Sequence, residues 1–236
     1  MISSARSSLL SILIFLSAPG LTGCAFFLSL DPAPHVPMPS NSNAAIIGIA
    51  VKVKHIWGND TCAQGIFIKL EEAGPDDVMR GRILSNTRYG QGYTYLLNVQ
   101  PGRYAAVGCI VRGRYGYSVF FNKPLIARLT QTINPGTVVL LGNITVDVNG
   151  IRNESQLDEV QQHYFRELFG KDVHQALEDH RFLGFQFPTQ GATVGDASLD
   201  YEYSRNSASR QFLTMLSQYL PTAWDPWIRN SVASGT

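Results

Sequence analysis

The feature that most limits what this chain can fold into is a train of short apolar segments between residues 46 and 148, each bounded by turn residues. Ile46-Ile47-Gly48-Ile49-Ala50-Val51-Lys52-Val53-Lys54 begins as a buried run and ends in apolar–polar alternation, the period-2 signature of a strand. Gly65–Leu70, Arg82–Ser85, Tyr93–Val99, Arg103–Val111, Tyr117–Phe121, Leu125–Ile133 and Thr137–Val148 continue the series. Turn chemistry separates them at Gly74-Pro75-Asp76-Asp77, Pro101-Gly102 and Pro135-Gly136. Strands interrupted about every eight to twelve residues, with no helical period between them, predict an antiparallel β-sandwich over 46–150. A parallel sheet with crossover helices would need that helical period.

After Gly150 the period changes. Leu157, Val160, Tyr164, Phe165, Leu168 and Phe169 form one helical stripe, with Ser155 and Asp158 placed for a capping-box start and Gly170 for a stop. A second helix is expected over Asp172–His180 and a short strand over Phe182–Phe187. Residues 188–206, rich in Gly, Ser, Thr and Asp, read as a loop. Phe212, Leu213, Leu216, Tyr219 and Leu220 mark a last helix stopped by Pro221, and Trp224, Pro226 and Trp227 close the ordered part. Short helices in a segment of this size make a marginal core alone, so 151–236 is expected as a C-terminal α-helical extension packed on the sandwich.

The first 23 residues carry one charge, Arg6, ahead of the apolar run LLSILIFLSA at 9–18, which is shorter than the roughly 20 apolar residues a membrane span needs. Pro19-Gly20 then breaks any helix. Leu21-Thr22-Gly23-Cys24 resembles the lipobox of bacterial lipoproteins. That resemblance implies a signal peptide over 1–23, cleavage before Cys24, a diacylglyceryl group on the Cys24 sulfur and a further acyl chain on the new amine. Several chains on one residue suffice for stable anchoring. Ala25 rather than Asp after the cysteine implies, by the same resemblance, sorting to the outer membrane, facing the periplasm. The apolar stretch AFFLSL and the run Asp31-Pro32-Ala33-Pro34-His35-Val36-Pro37-Met38-Pro39 then read as a lipidated Pro-rich tether over 24–45.

Charge narrows the partners. The whole chain holds 19 Lys+Arg against 18 Asp+Glu, and the loss of Arg6 with the leader leaves the mature part balanced. A balanced surface lacks the basic footprint that dominates nucleic-acid affinity, and the Lys/Arg cluster that anionic lipid attracts.

Val99-Gln100-Pro101-Gly102-Arg103-Tyr104, followed by Asn134-Pro135-Gly136-Thr137-Val138-Val139-Leu140-Leu141-Gly142-Asn143-Ile144, resembles small bacterial lipoprotein domains with a transthyretin-like or carboxypeptidase-regulatory-like sandwich. The resemblance spans about residues 46–149. It implies that fold and a non-enzymatic role, and supplies no catalytic residues.

With Cys24 lipidated, Cys62 and Cys109 remain as a pair, and export would place them in an oxidising compartment where a disulfide persists. The alternative is a pair of inert buried thiols. The histidines His35, His55, His163, His174 and His180 show no metal-ligand spacing, so no metal is expected. No nucleophile elbow and no phosphate loop is present, so neither a catalytic residue nor a cofactor is expected. Arg88-Tyr89-Gly90-Gln91-Gly92-Tyr93 and Arg114-Tyr115-Gly116-Tyr117 look like two versions of one loop-to-strand piece. Exposed Tyr faces stack on sugars and Arg adds hydrogen bonds, which makes Arg88, Tyr89, Tyr93, Arg114, Tyr115 and Tyr117 candidate ligand-binding residues. The bland reading is that Gly turns the chain while Tyr covers a sheet edge. The expectation is a membrane-anchored envelope lipoprotein, structural or accessory, that contacts another envelope protein. A glycan- or peptidoglycan-binding module is the alternative, ahead of an enzyme.

Overall fold

The computed structural model describes residues 36–55, 58–71, 77–84, 87–111, 117–150, 154–170, 172, 174–175, 181–182, 185–186 and 194–233. The leader, the lipobox at Leu21, Thr22, Gly23 and Cys24, the first part of the tether, and most of the helix expected over 172–180 lie outside them. The fold is mainly antiparallel sheet with C-terminal helices, a sandwich-like architecture. Its strands are β1 (Ala45–His55), β2 (Gly58–Leu70), β3 (Arg82–Leu84), β4 (Arg88–Gly90), β5 (Tyr93–Val99), β6 (Gly102–Val111), β7 (Tyr117–Phe121), β8 (Thr130–Ile133), β9 (Val138–Gly150), a small hairpin of β10 (Arg181–Phe182) and β11 (Phe185–Gln186), and β12 (Val194–Glu202). The helices are α1 (Lys123–Arg128), α2 (Glu159–Phe169), α3 (Arg205–Tyr219) and α4 (Asp225–Ala233).

The large sheet runs β3-β2-β6-β7-β12-β9-β1-β5-β4, with β8 beside β6. β1 turns a corner in it. Its first half pairs with β5, from Ala45 opposite Val99 to Ala50 opposite Tyr93, and its end pairs with β2 from Lys52 to His55. A strand that changes partners along its length is how the two parts of a sandwich share a corner. Two pairs are parallel, β1 with β9 and β7 with β12.

Both faces of the first half of β1 are buried, which explains why its sequence is apolar without a break there, while Lys52 and Lys54 further on are exposed. Ile47, Ile49, Val51 and Val53 point into the main core with Phe67, Val107, Phe120 and Ile144. Ala44 and Ile46 point the other way, into a second core with Tyr93, Tyr95, Val138, Leu140 and the apolar side of α3: Ala208, Phe212, Leu213, Met215 and Leu216. Each such Ile or Phe contributes about 1.5–3 kcal/mol by leaving water. Helix α2 begins with a capping box between Asp158 and Gln161, ends on Gly170 at φ 67°, and buries Val160, Tyr164 and Phe165 in the main core.

Two expectations are corrected. Leu125–Ile133 is not one strand: Asn122 caps a helix turn by accepting from the Leu125 N–H, with Pro124 in the first turn, and β8 starts only at Thr130. Pro there cannot serve a ladder, and its fixed φ suits a helix start. The stretch read as a loop over 188–206 holds β12, which lies between β7 and β9 in the middle of the sheet. Ala197 and Leu199 face the main core while Asp200 is exposed, an alternation weakened in the sequence by Gly195, Asp196 and Ser198. Residues 151–236 therefore supply a central strand as well as the C-terminal helices α2, α3 and α4. The described part of the tether read over 24–45 is fixed to the body from Val36 onward, through Trp224 and Trp227.

Candidate functional site

The two Arg–Tyr pieces do not form one site. Arg88 and Tyr89 lie on β4, at the end of the sheet, and Tyr93 on β5; Tyr117 lies on β7, separated from them by β1, β9 and β12. Arg114 and Tyr115 lie outside the described residues. Tyr93 is buried, its ring 5.2 Å from that of Phe212, and its hydroxyl sits 3.5 Å from both the Ala208 carbonyl and Gln211 Oε1. Tyr117 donates its hydroxyl to Asp60 Oδ2 at 3.2 Å. Burial, reinforced by the Asp60 carboxylate, pushes the Tyr117 phenol far up from its ordinary value. Of the described tyrosines in these pieces, Tyr89 is the exposed one.

Cys62 and Cys109 are both buried thiols on neighbouring strands, in side-chain contact beside Tyr117. The register places Cys62 opposite Val111 and Cys109 opposite Gly65, across the irregularity between Cys62 and Gln64. Burial, and then the hydrogen bond to Cys62, push the Cys109 thiol up. A raised thiol is a poor nucleophile, so the pair does not have the character of a reactive site. No group of three or more His, Cys, Asp or Glu side chains capable of holding a metal occurs among the described residues.

The feature that sequence reading missed is on α3. Ser207, Arg210, Gln211 and Thr214 follow one another at helical spacing and, with Gln91 and Tyr93 from the β4–β5 connection, line an open groove. Gln91, held at φ 46°, reaches across to α3, its amide donating to Gln218 Oε1 at 3.4 Å and to the Tyr219 hydroxyl at 3.3 Å. Exposed tyrosines bracket the stripe. Tyr219 stands at the C-terminal end of α3, and Tyr203 precedes Ser204, the residue from which the helix starts. Tyr203 packs edge to face against Tyr201 at 4.9 Å, and Tyr201 is 57% exposed. The signal was present as Ser207-x-x-Arg210-Gln211-x-x-Thr214, the polar complement of Ala208, Phe212, Met215 and Leu216 on a helix that starts at Arg205.

No family model, no curated protein and no solved structure matches the chain.

Proposed function

We propose that this protein is a lipid-anchored component of the bacterial cell envelope, held in the outer membrane through Cys24 and facing the periplasm, whose task is structural or accessory binding of another envelope protein rather than catalysis. The observation that carries the reading is the α3 face: a polar stripe of Ser207, Arg210, Gln211 and Thr214 bracketed by exposed Tyr203 and Tyr219. Tyr and Arg are the side chains most often decisive at protein interfaces, because they bring large rigid area and several donors at low entropic cost. The anchor half of the proposal rests on Leu21-Thr22-Gly23-Cys24 and the leader before it.

For the glycan reading, the stripe also offers the hydroxyls, amides and guanidinium that hydrogen-bond sugars, but of the described tyrosines first singled out for stacking only Tyr89 is exposed. Phe212 lies against Tyr93, and Tyr117 is half-buried with its hydroxyl committed to Asp60. The test is a photo-activated cross-linking residue placed at Arg210 or Tyr203 in the full-length chain in living cells, with Cys24→Ala as the mislocalised control. A discrete protein adduct that disappears in the control is expected. Adducts to cell-wall material alone would move the assignment to the glycan module.

A further inference from the structure

The segment that leads from the anchor is clipped to one end of the body. The Trp224 indole N–H donates to the Pro37 carbonyl at 2.9 Å, and the Trp227 indole N–H to the Ala44 carbonyl at 2.6 Å. Asn98, in the left-handed region at φ 58°, donates its amide to the Met38 carbonyl at 3.0 Å and accepts from the Ser40 N–H at 2.7 Å. Val36 packs against the second core. This is the end where β1 begins, β5 finishes and β9 starts. At the opposite end lie the β1–β2 tip, Asp60, Lys54 and Asp147.

The connections at the clipped end, 36–43, 100–101 and 134–137, read VPMPSNSN, QP and NPGT and contain no charged residue, while Lys69 and Arg103 flank them around Gly102 and Asp225 pairs with Arg229 on α4, the helix of Trp227. At the far end Lys54 bridges Asp147 and Asp200, each at 3.3 Å, and Asp60 is close by. The uncharged connections can approach a headgroup layer without desolvating a charge of their own. Reach adds a constraint. From Cys24 to Val36 is at most roughly 40 Å of extended chain, at about 3.3–3.6 Å per residue. If AFFLSL spends its length in the interface, the five residues Asp31–His35 leave about 17 Å, roughly half the height of an 11-residue strand such as β1.

We infer that the rim formed by Val36–Asn43, Gln100-Pro101 and Asn134–Thr137 is the membrane-apposed surface, its partner the lipid headgroup layer, and that the clip by Trp224, Trp227 and Asn98 sets this orientation by shortening the free tether. The inference rests on Cys24 being the anchor. The opposite, charged end then faces away from the bilayer.

The test uses the full-length lipidated chain in vesicles of phosphatidylethanolamine and phosphatidylglycerol carrying a headgroup nitroxide quencher. Fluorophores are attached at Met38→Cys or Asn134→Cys on the rim, and at Asn59→Cys or Thr61→Cys at the far end. The parent chain, whose Cys62 and Cys109 are buried, gives the labelling blank. Severalfold stronger quenching at the rim positions than at the far-end positions is expected. Replacing Trp227 and Asn98 together, by Trp227→Phe and Asn98→Ala, is expected to narrow that difference while the chain stays vesicle-bound. Equal or reversed quenching in protein that floats with the vesicles overturns the orientation. Failure of the acylated chain to float overturns the anchor beneath it.

Discussion

The tip of the Phe212 ring lies against Gly48, so that a Cβ on residue 48 would stand 2.3 Å from its Cζ. No other residue type at position 48 lets α3 come this close to β1, and the contact is continued by the Tyr93 and Tyr95 rings around Phe212. Gly48 does not have a positive φ, so the demand is for space and not for backbone freedom. Gly48→Ala is therefore expected to destabilise the fold by about 1–3 kcal/mol, the range for overpacking a filled core. Phe212→Ala alone should cost about 3–5 kcal/mol. Because the two residues share one contact, the double variant should cost clearly less than the sum. Urea unfolding of the four proteins measures this, and strict additivity would mean that the contact is not made.

Thr94 tests the core from the opposite direction. It is buried on β5 facing the interior, and its Oγ1 has no hydrogen-bond partner among the described residues. An unsatisfied buried hydroxyl costs about 1–3 kcal/mol, so Thr94→Val, equal in shape, is expected to stabilise the protein by roughly 1 kcal/mol. A lower midpoint of thermal unfolding for the Val variant would show that the hydroxyl is satisfied in solution.

For the thiols the expected state depends on where the chain is made. Exported protein should carry a Cys62–Cys109 bond, since the side chains already touch and the compartment is oxidising. Formation is an exchange with a protein disulfide of that compartment: two thiols lose two protons and two electrons, and the donor disulfide is reduced. Such a link would stabilise by about 3–4 kcal/mol. Alkylation after denaturation, with and without prior reduction, reads the outcome, and full alkylation without reductant in exported protein would exclude the bond. Folded cytosolic protein should resist alkylation at both positions because the thiols are buried.

Alkaline pH provides a further check. Burial raises the phenols of Tyr93, Tyr95, Tyr104 and Tyr117 above their ordinary value of 10.0. Raised in the fold and ordinary in the unfolded chain, these groups hold their protons in the native state when the unfolded chain has begun to lose them. Their contribution is complete below the ordinary tyrosine value and is lost as pH climbs above it. Stability should therefore be flat through neutrality and fall steeply from about pH 10 upward. The part of the phenolate absorbance that belongs to these four tyrosines should appear together with loss of structure and not before it. Early, independent ionisation of all the tyrosines would contradict the burial described.

Much of this was legible in the sequence, and the failures have physical causes. β1, β5, β6, β7 and β9 announced themselves because burial on one or both faces forces runs of Ile, Val, Leu and Phe. The Pro101-Gly102 turn was readable from Gly102, held at φ 150°, and Tyr104 secures it by donating to the Gln100 carbonyl at 2.6 Å. The α2 cap and stop were spelled out by Asp158, Gln161 and Gly170. β12 was not legible, because Gly195, Asp196 and Ser198 carry almost no strand preference and are held there by pairing with β7 and β9. The clip on the tether could not be read either, since it consists of indole N–H groups near residue 225 meeting carbonyls near residue 40. For the site, the Arg–Tyr repetition drew attention to residues that the sheet separates, while the α3 stripe consists of ordinary polar residues on the outer side of a helix and carries no motif.

The measurement that bears most directly on the central claim is metabolic labelling of growing cells with an alkyne-bearing fatty acid, followed by membrane separation, for the natural chain and for Cys24→Ala. The account predicts fatty-acid label on the natural chain, recovered with the outer membrane, and no label with release from that membrane for Cys24→Ala. An unlabelled natural chain, or a Cys24→Ala chain that remains labelled and membrane-bound, would contradict it.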